Sequence, residues 1–158
     1  MPFQPPTWPV SVKGVVLDAR RRVLLLRTDR EEWELPGGLL ERGSWETGSG
    51  GGAAGGGGGG WAVGDGSPQQ AVEREVHEET GWRVTAGPLI DGGVWIYEPI
   101  PGRRILIVTY GCTVLTPDRP PVISAEHTEF GLFEAGEVNG LALPDGYKRS
   151  IATWYACA

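Results

Sequence analysis

The sequence predicts a mixed α/β domain in which helices pack on a β-sheet, and three observations carry that prediction. Short apolar runs separated by Gly, Pro and polar turns recur before residue 40 and again after residue 81. Between them, residues 67–81 carry a full set of helix start and stop signals. A second amphipathic pattern occupies residues 144–158. Strands, helix, strands and helix in that order require helices laid against a sheet. The chain has 158 residues, of which 22% are charged and 40% hydrophobic, which suits one domain over 1–158 with a core of its own.

Residues 1–9 hold four prolines and read as an extended arm. Val10 to Leu17 is strand-like, Asp18 to Arg22 a polar turn, and Val23 to Arg27 a second apolar strand. The run Arg20-Arg21-Arg22 reads as a solvated hairpin tip, with phosphate contact as the competing reading. Trp33-Glu34-Leu35 forms a short strand that runs into Pro36-Gly37-Gly38.

Residues 44–66 are a different kind of chain, holding 12 of the 26 glycines. Such a tract buries too little apolar surface to offset its ordering entropy, so a mobile inserted loop is expected, with Trp45 and Trp61 packed at its base. An insertion at a loop tip costs little, because closure entropy grows slowly with length. A lid above a site is the competing reading.

Ser67 is a good N-cap, Pro68 suits the first helical position, Gln70 completes a capping-box pattern, and Gly81 is placed to end the helix. Ala71, Val72 and Val76 supply its apolar stripe. Trp82 to Thr85 and Val94 to Tyr97 then read as two β segments broken by Gly87-Pro88 and Gly92-Gly93. Arg104 to Leu115 is the longest apolar run and the expected central strand. Phe130 to Phe133 is a last short strand, and Tyr147, Ile151, Trp154 and Tyr155 fall at helical spacing in a closing helix.

A net charge of −6 and a pI near 4.9 leave no basic surface for a nucleic-acid polymer. Cys112 and Cys157 fit no metal spacing, and Cys112 reads as a small core residue. Met1 to Pro9 does not resemble a secretory leader, and no apolar run approaches the roughly 18 to 20 residues of a membrane span, so the cytoplasm is the expected location.

Chemistry is concentrated in Arg74-Glu75-Val76-His77-Glu78-Glu79-Thr80-Gly81. On a helix, Glu75, Glu78 and Glu79 stand at i, i+3 and i+4, which places three carboxylates on one face. Such a cluster is either a solvated face or a seat for a hard cation such as Mg²⁺, Mn²⁺ or Ca²⁺. Upstream lies Trp33-Glu34-Leu35-Pro36-Gly37-Gly38. Together the two stretches resemble the signature of the Nudix hydrolases. Gly38 to Arg74 spans 36 positions where the signature has 14, so 22 residues are inserted. Gly66 stands where the signature has Glu, with Glu46 and Asp65 the nearest substitutes.

The resemblance implies a Nudix-type α/β/α sandwich with a mixed sheet. It also implies Mg²⁺- or Mn²⁺-dependent hydrolysis of a small nucleotide-type diphosphate. In that frame Glu75, Glu78 and Glu79 bind metal, the Gly37 carbonyl joins them, and Glu75 or Glu78 is the candidate base. Arg74 orients the acidic cluster by charge-assisted hydrogen bonds. Glu41 matches a recurrent acidic position, with a loop cap as its other reading. The family also draws a carboxylate from a later loop, as ligand or base; Glu126 is preferred to Glu129, and His127 beside it reads as a surface histidine or a base. Trp33, Trp95, Tyr97 and Phe130 are candidates for stacking on a nucleobase, or core residues at β spacing. A second function follows from Gly66 at the split motif: a nucleotide-binding module of the same fold without turnover.

Overall fold

The computed structural model describes residues 1–40 and 65–158. Glu41, Glu46, the Trp45–Trp61 closure and most of the predicted inserted loop lie outside the described residues. The sheet is built on β1 (Val10–Leu17), whose polar and apolar residues are almost all buried. It is followed by β2 (Val23–Arg27), β3 (Trp33–Glu34), β4 (Gly37–Leu39) and helix α1 (Pro68–Thr80). Then come β5 (Val84–Ile100), β6 (Arg103–Val114), β7 (Glu129–Phe133), a 3₁₀ turn at Val138–Gly140, and helix α2 (Asp145–Cys157).

The main strand order is β3-β2-β1-β6-β5, with β4 paired to β1 and β7 to β2. β1 and β6 run parallel from Val10 opposite Leu106 to Leu17 opposite Thr113. The other pairings are antiparallel, so the sheet is mixed. The expected central strand, β6, is interior, between β1 and β5, while β1 takes the middle of that order.

Alternation along β1 sends Val12 and Val16 to one face and Val15 and Leu17 to the other. The first face packs against Ala71, Val72 and Val76 of α1, with Leu24, Tyr110 and Cys112. The second packs against Tyr147 and Ile151 of α2, with Leu25, Leu35 and Ile107. Two cores on opposite faces of one sheet make the predicted α/β/α sandwich.

The sequence reading needs correction at one place in the sheet. Trp82–Thr85 and Val94–Tyr97 belong to one stretch of chain, because β5 runs unbroken from Val84 to Ile100 and leaves out only Trp82 and Arg83. Irregularities in its pairing with β6, between Ala86 and Leu89 and between Leu89 and Val94, absorb the glycines that looked like breaks. The arginine run is the solvated tip of the β1–β2 hairpin, as expected, with Arg20 and Arg21 exposed, and it also makes contacts of its own. Arg22 closes on Asp18 at 2.7 Å, and Arg21 donates to the carbonyls of Ala158 at 2.8 Å and Tyr155 at 3.1 Å. Among the described residues, no helix is long and apolar enough to cross a membrane.

Candidate active site

The site begins with a turn that only glycine fits. Gly37 has φ of +141°, and a Cβ there would strike the Val12 carbonyl. A Cβ on Gly38 would lie 2.6 Å from the Glu75 carboxyl group. The turn thus lies directly against α1, and α1 is fixed in register by its own caps. Ser67 Oγ accepts from the Gln70 N–H at 3.2 Å, and Gly81, at φ of +71°, donates to His77 O at 2.9 Å. Of the predicted capping box, this hydrogen bond is the half the structure shows.

With both elements locked, the acidic helix face and the glycine turn enclose a cleft of about 730 Å³. Glu75, Glu78 and Glu79 line one side, and Glu34, Gly37 and Gly38 lie beside them. Glu126 and His127, from the loop before β7, and Thr28–Arg30 complete the wall. The predicted acidic trio therefore lines one cleft, and Glu126 lines it too. Glu129 does not: it pairs with Arg27 at 2.6 Å on the β2–β7 ladder.

The three helix carboxylates differ in surroundings. Glu78 is 58% exposed, whereas Glu79 is 5% exposed and accepts the Gly37 N–H at 2.9 Å. Burial pushes the Glu79 carboxyl up to about 7, against the pull of Lys13 and of the Gly37 amide. Arg74 lies between these carboxylates and the end of the described segment before α1. It meets Glu75 and Glu78 at 3.1 Å each and grips Asp65 with two hydrogen bonds of 2.8 and 3.0 Å.

Behind the glycine turn lies a set of charges that the sequence reading passed over. Lys13, 5% exposed, donates to Gly37 O at 3.2 Å and meets Glu34 at 3.1 Å. The other Glu34 oxygen contacts Nε2 of His127 at 3.0 Å. Burial opposes ionisation of Glu34, yet Lys13 and the His127 ring outweigh it and hold its carboxyl at about 2. Burial also opposes charge on Lys13 and on His127. For Lys13 it is outweighed by Tyr147, Glu34 and Glu79, and for His127 by the Glu34 hydrogen bond and Glu79. Both bases are raised above their ordinary values. His127 is thus no surface histidine: its side chain is only 6% exposed because the ring is drawn in by Glu34.

Of the two readings of the aromatic candidates, the core one fits three of them. Trp33, Trp95 and Tyr97 pack in the α2-side core, Trp95 edge-on to Tyr147 at 5.1 Å and Trp33 edge-on to Phe133 at 4.9 Å. Phe130 is partly exposed on β7. None of the four is among the described residues lining the cleft, because strand alternation directs the first three into the core.

Oxygen donors facing one cleft fit a hard divalent cation. Among the described residues, no three acidic, His or Cys side chains already stand together as a metal-binding group. Glu75 and Glu78 turn to Arg74, Glu79 turns to the Gly37 amide, and the Gly37 carbonyl takes the Lys13 ammonium. An ion entering the cleft would compete with Arg74 for two carboxylates.

Comparison with known proteins agrees with this architecture. A MutT-like protein of Streptomyces ambofaciens is 38% identical over 86 residues, which are 54% of this chain and 42% of that protein. The chain therefore spans less than half of that relative's length. A MutT protein from Methanosarcina mazei Go1 superposes with a TM-score of 0.68 at 20% identity, covering 94% of each chain. An Ap4A hydrolase of C. elegans gives 0.67 at 16% identity, covering 94% of this chain and 96% of the other. Both likenesses are of fold. The NUDIX domain family matches residues 7–155, nearly the whole sequence, and the chain belongs to that family.

Proposed function

We propose that this protein is a divalent-metal-dependent pyrophosphohydrolase that cleaves a nucleoside diphosphate linked to another moiety. The observation that carries the reading is the single cleft in which Glu75, Glu78 and Glu79 face the Gly37–Gly38 turn and Glu126. Glu75, Glu78 and Glu79, with the Gly37 carbonyl, are the groups that would hold the ion. Bound Mg²⁺ or Mn²⁺ would neutralise diphosphate charge and lower the pKa of a coordinated water.

The chain's own residues have definable work. Water attacks one phosphorus, the bridging P–O bond breaks, and the leaving phosphate departs with the bonding electron pair. The water proton passes to a carboxylate at the cleft: Glu75 or Glu78 on the helix, or Glu126 across from it. Arg74, in contact with both Glu75 and Glu78, would hold these two carboxylates in place relative to each other. Arg30, which also lines the cleft, is placed to meet substrate anionic oxygens.

A nucleotide-binding module without turnover is the second reading. It is favoured by Asp65, the neighbour of Gly66, which is held by Arg74 and is not among the residues lining the cleft. The test is nucleotide and phosphate release from nucleoside triphosphates, ADP-ribose, UDP-linked compounds and dinucleoside polyphosphates, with Mg²⁺ or Mn²⁺. Neighbouring structures include a UDP-X diphosphatase and an ADP-ribose pyrophosphatase, which motivates that panel. Metal-dependent turnover lost in Glu78→Gln establishes the enzyme. Folded protein that binds Mn²⁺ and nucleotide without release establishes the module.

A further inference from the structure

A continuous hydrogen-bonded chain runs beneath the cleft from one wall to the other. Glu79 on α1 accepts the Gly37 N–H at 2.9 Å. The carbonyl of that same residue accepts from Lys13 at 3.2 Å. Lys13 meets one oxygen of Glu34 at 3.1 Å, and the other oxygen meets His127 at 3.0 Å. His127 follows Glu126 directly, so the chain ends beside a carboxylate of the opposite wall.

Stability does not account for these groups. Lys13 and Glu79 are each 5% exposed and the His127 side chain 6%, and His127 Nδ1 is buried with no hydrogen-bond partner among the described residues. Lys13 shares the face of β1 that carries Val15 and Leu17, where an apolar side chain would serve the core. Buried ion pairs are commonly no better for stability than apolar residues of the same volume. A row of buried charges leading to a cleft has a second use: it permits one arrangement of the segments it joins.

We propose that Lys13, Glu34 and His127 are positioning residues that hold the glycine turn and the Glu126 loop in fixed register across the cleft. The α1 carboxylates and Glu126 then address the same diphosphate. The inference rests on the hydrolytic reading of the cleft, but its structural half is measurable without substrate.

The experiment cuts the chain at one end and reads the other. His127→Phe removes the loop-end link, and Glu34→Gln weakens the centre. Hydrogen exchange at the Gly37 amide, three links from residue 127, is compared in wild type and variants, alongside kcat and KM. In His127→Phe that still unfolds cooperatively, Gly37 exchange should speed up several-fold, and kcat should fall by about 10²-fold with KM changing much less. Glu34→Gln should loosen both Gly37 and Thr128 amides. Unchanged Gly37 exchange in folded His127→Phe overturns the proposal, as does unchanged kcat. If Glu34→Gln fails to fold, His127→Phe decides alone, because it alters the loop side of the chain. If wild type turns over nothing in the panel, the hydrolytic reading fails, and Gly37 exchange still decides whether the two walls are coupled.

Discussion

Helices α1 and α2 are each thirteen residues long, and they are held in opposite ways. α1 is closed at both ends by local signals, Ser67 and Gly81, and its buried apolar side chains, Ala71, Val72 and Val76, are all small, with Glu79 and Thr80 buried beside them. α2 has no side-chain N-cap and buries Tyr147 and Ile151 instead. Its last turn is held from a distance, by the Arg21 guanidinium on the carbonyls of Tyr155 and Ala158. One helix is located by its caps and polar contacts, the other by bulk. A helix located by its caps has its outward face free for charges, and α1 is where the carboxylates are. Damage to α1 should therefore appear in chemistry, and damage to α2 in stability.

The largest effect that would break this contrast is a loss of stability from the exposed face of α1. Glu78→Gln should lower turnover by about 10²–10⁴-fold, with the urea midpoint unchanged because Glu78 is 58% exposed. A lowered midpoint would mean that the acidic face is structural. Tyr147→Ala is the mirror experiment. Tyr147 is 1% exposed in the α2-side core, and its truncation should cost about 3–5 kcal/mol of unfolding free energy. The KM of the fraction that remains folded should not move. Gly38→Ala tests the meeting point of helix and turn. Its methyl would lie 2.6 Å from the Glu75 carboxyl, so Glu75 must swing away. Turnover should fall steeply, with a stability loss of about 1–3 kcal/mol from overpacking. Ser67→Ala should cost about 1 kcal/mol in the same titration.

The contrast also shows what was legible in the sequence. Both helices, the glycine turn and the acidic trio depend on spacings within a few residues, and they appear where the pattern placed them. The chain Lys13–Glu34–His127 was illegible because its links span 21 and 93 residues. No local pattern reports which face of a strand is buried when both are. The available signal was Lys13 itself, a charge inside the apolar strand Val10–Leu17. β5 was misread for the opposite reason. Glycines that punctuate an isolated segment are absorbed as irregularities once a partner strand fixes the register. The aromatic residues were legible as strand residues but not as core or cleft, since that depends on where α2 docks.

The smallest effect bears on how α2 is tied down, and it is a pH effect. Asp18 accepts from the backbone of Arg20 at 3.0 Å and of Arg22 at 2.8 Å, and its second oxygen holds the Arg22 guanidinium. Partial burial favours protonation, but the Arg22 amide and guanidinium outweigh it and hold the Asp18 carboxyl below its ordinary value. A depressed carboxylate contributes stability that is present above its unfolded pKa and is lost as pH falls through the folded one. The difference in urea midpoint between wild type and Asp18→Asn should thus be full at neutral pH and shrink below the ordinary aspartate range. The same turn presents Arg21 to α2, whose end is also tied by Tyr155 Oη donating to Arg21 O at 2.6 Å. Acid should therefore lower the protection factor (the exchange rate of an unstructured amide at the same pH over the observed one) of the Ala158 amide, which donates to Trp154 O, before it affects the Gly81 amide that closes α1. Equal loss of protection at both ends would show that α2 is no more dependent on distant contacts than α1, and the contrast between the helices would fail.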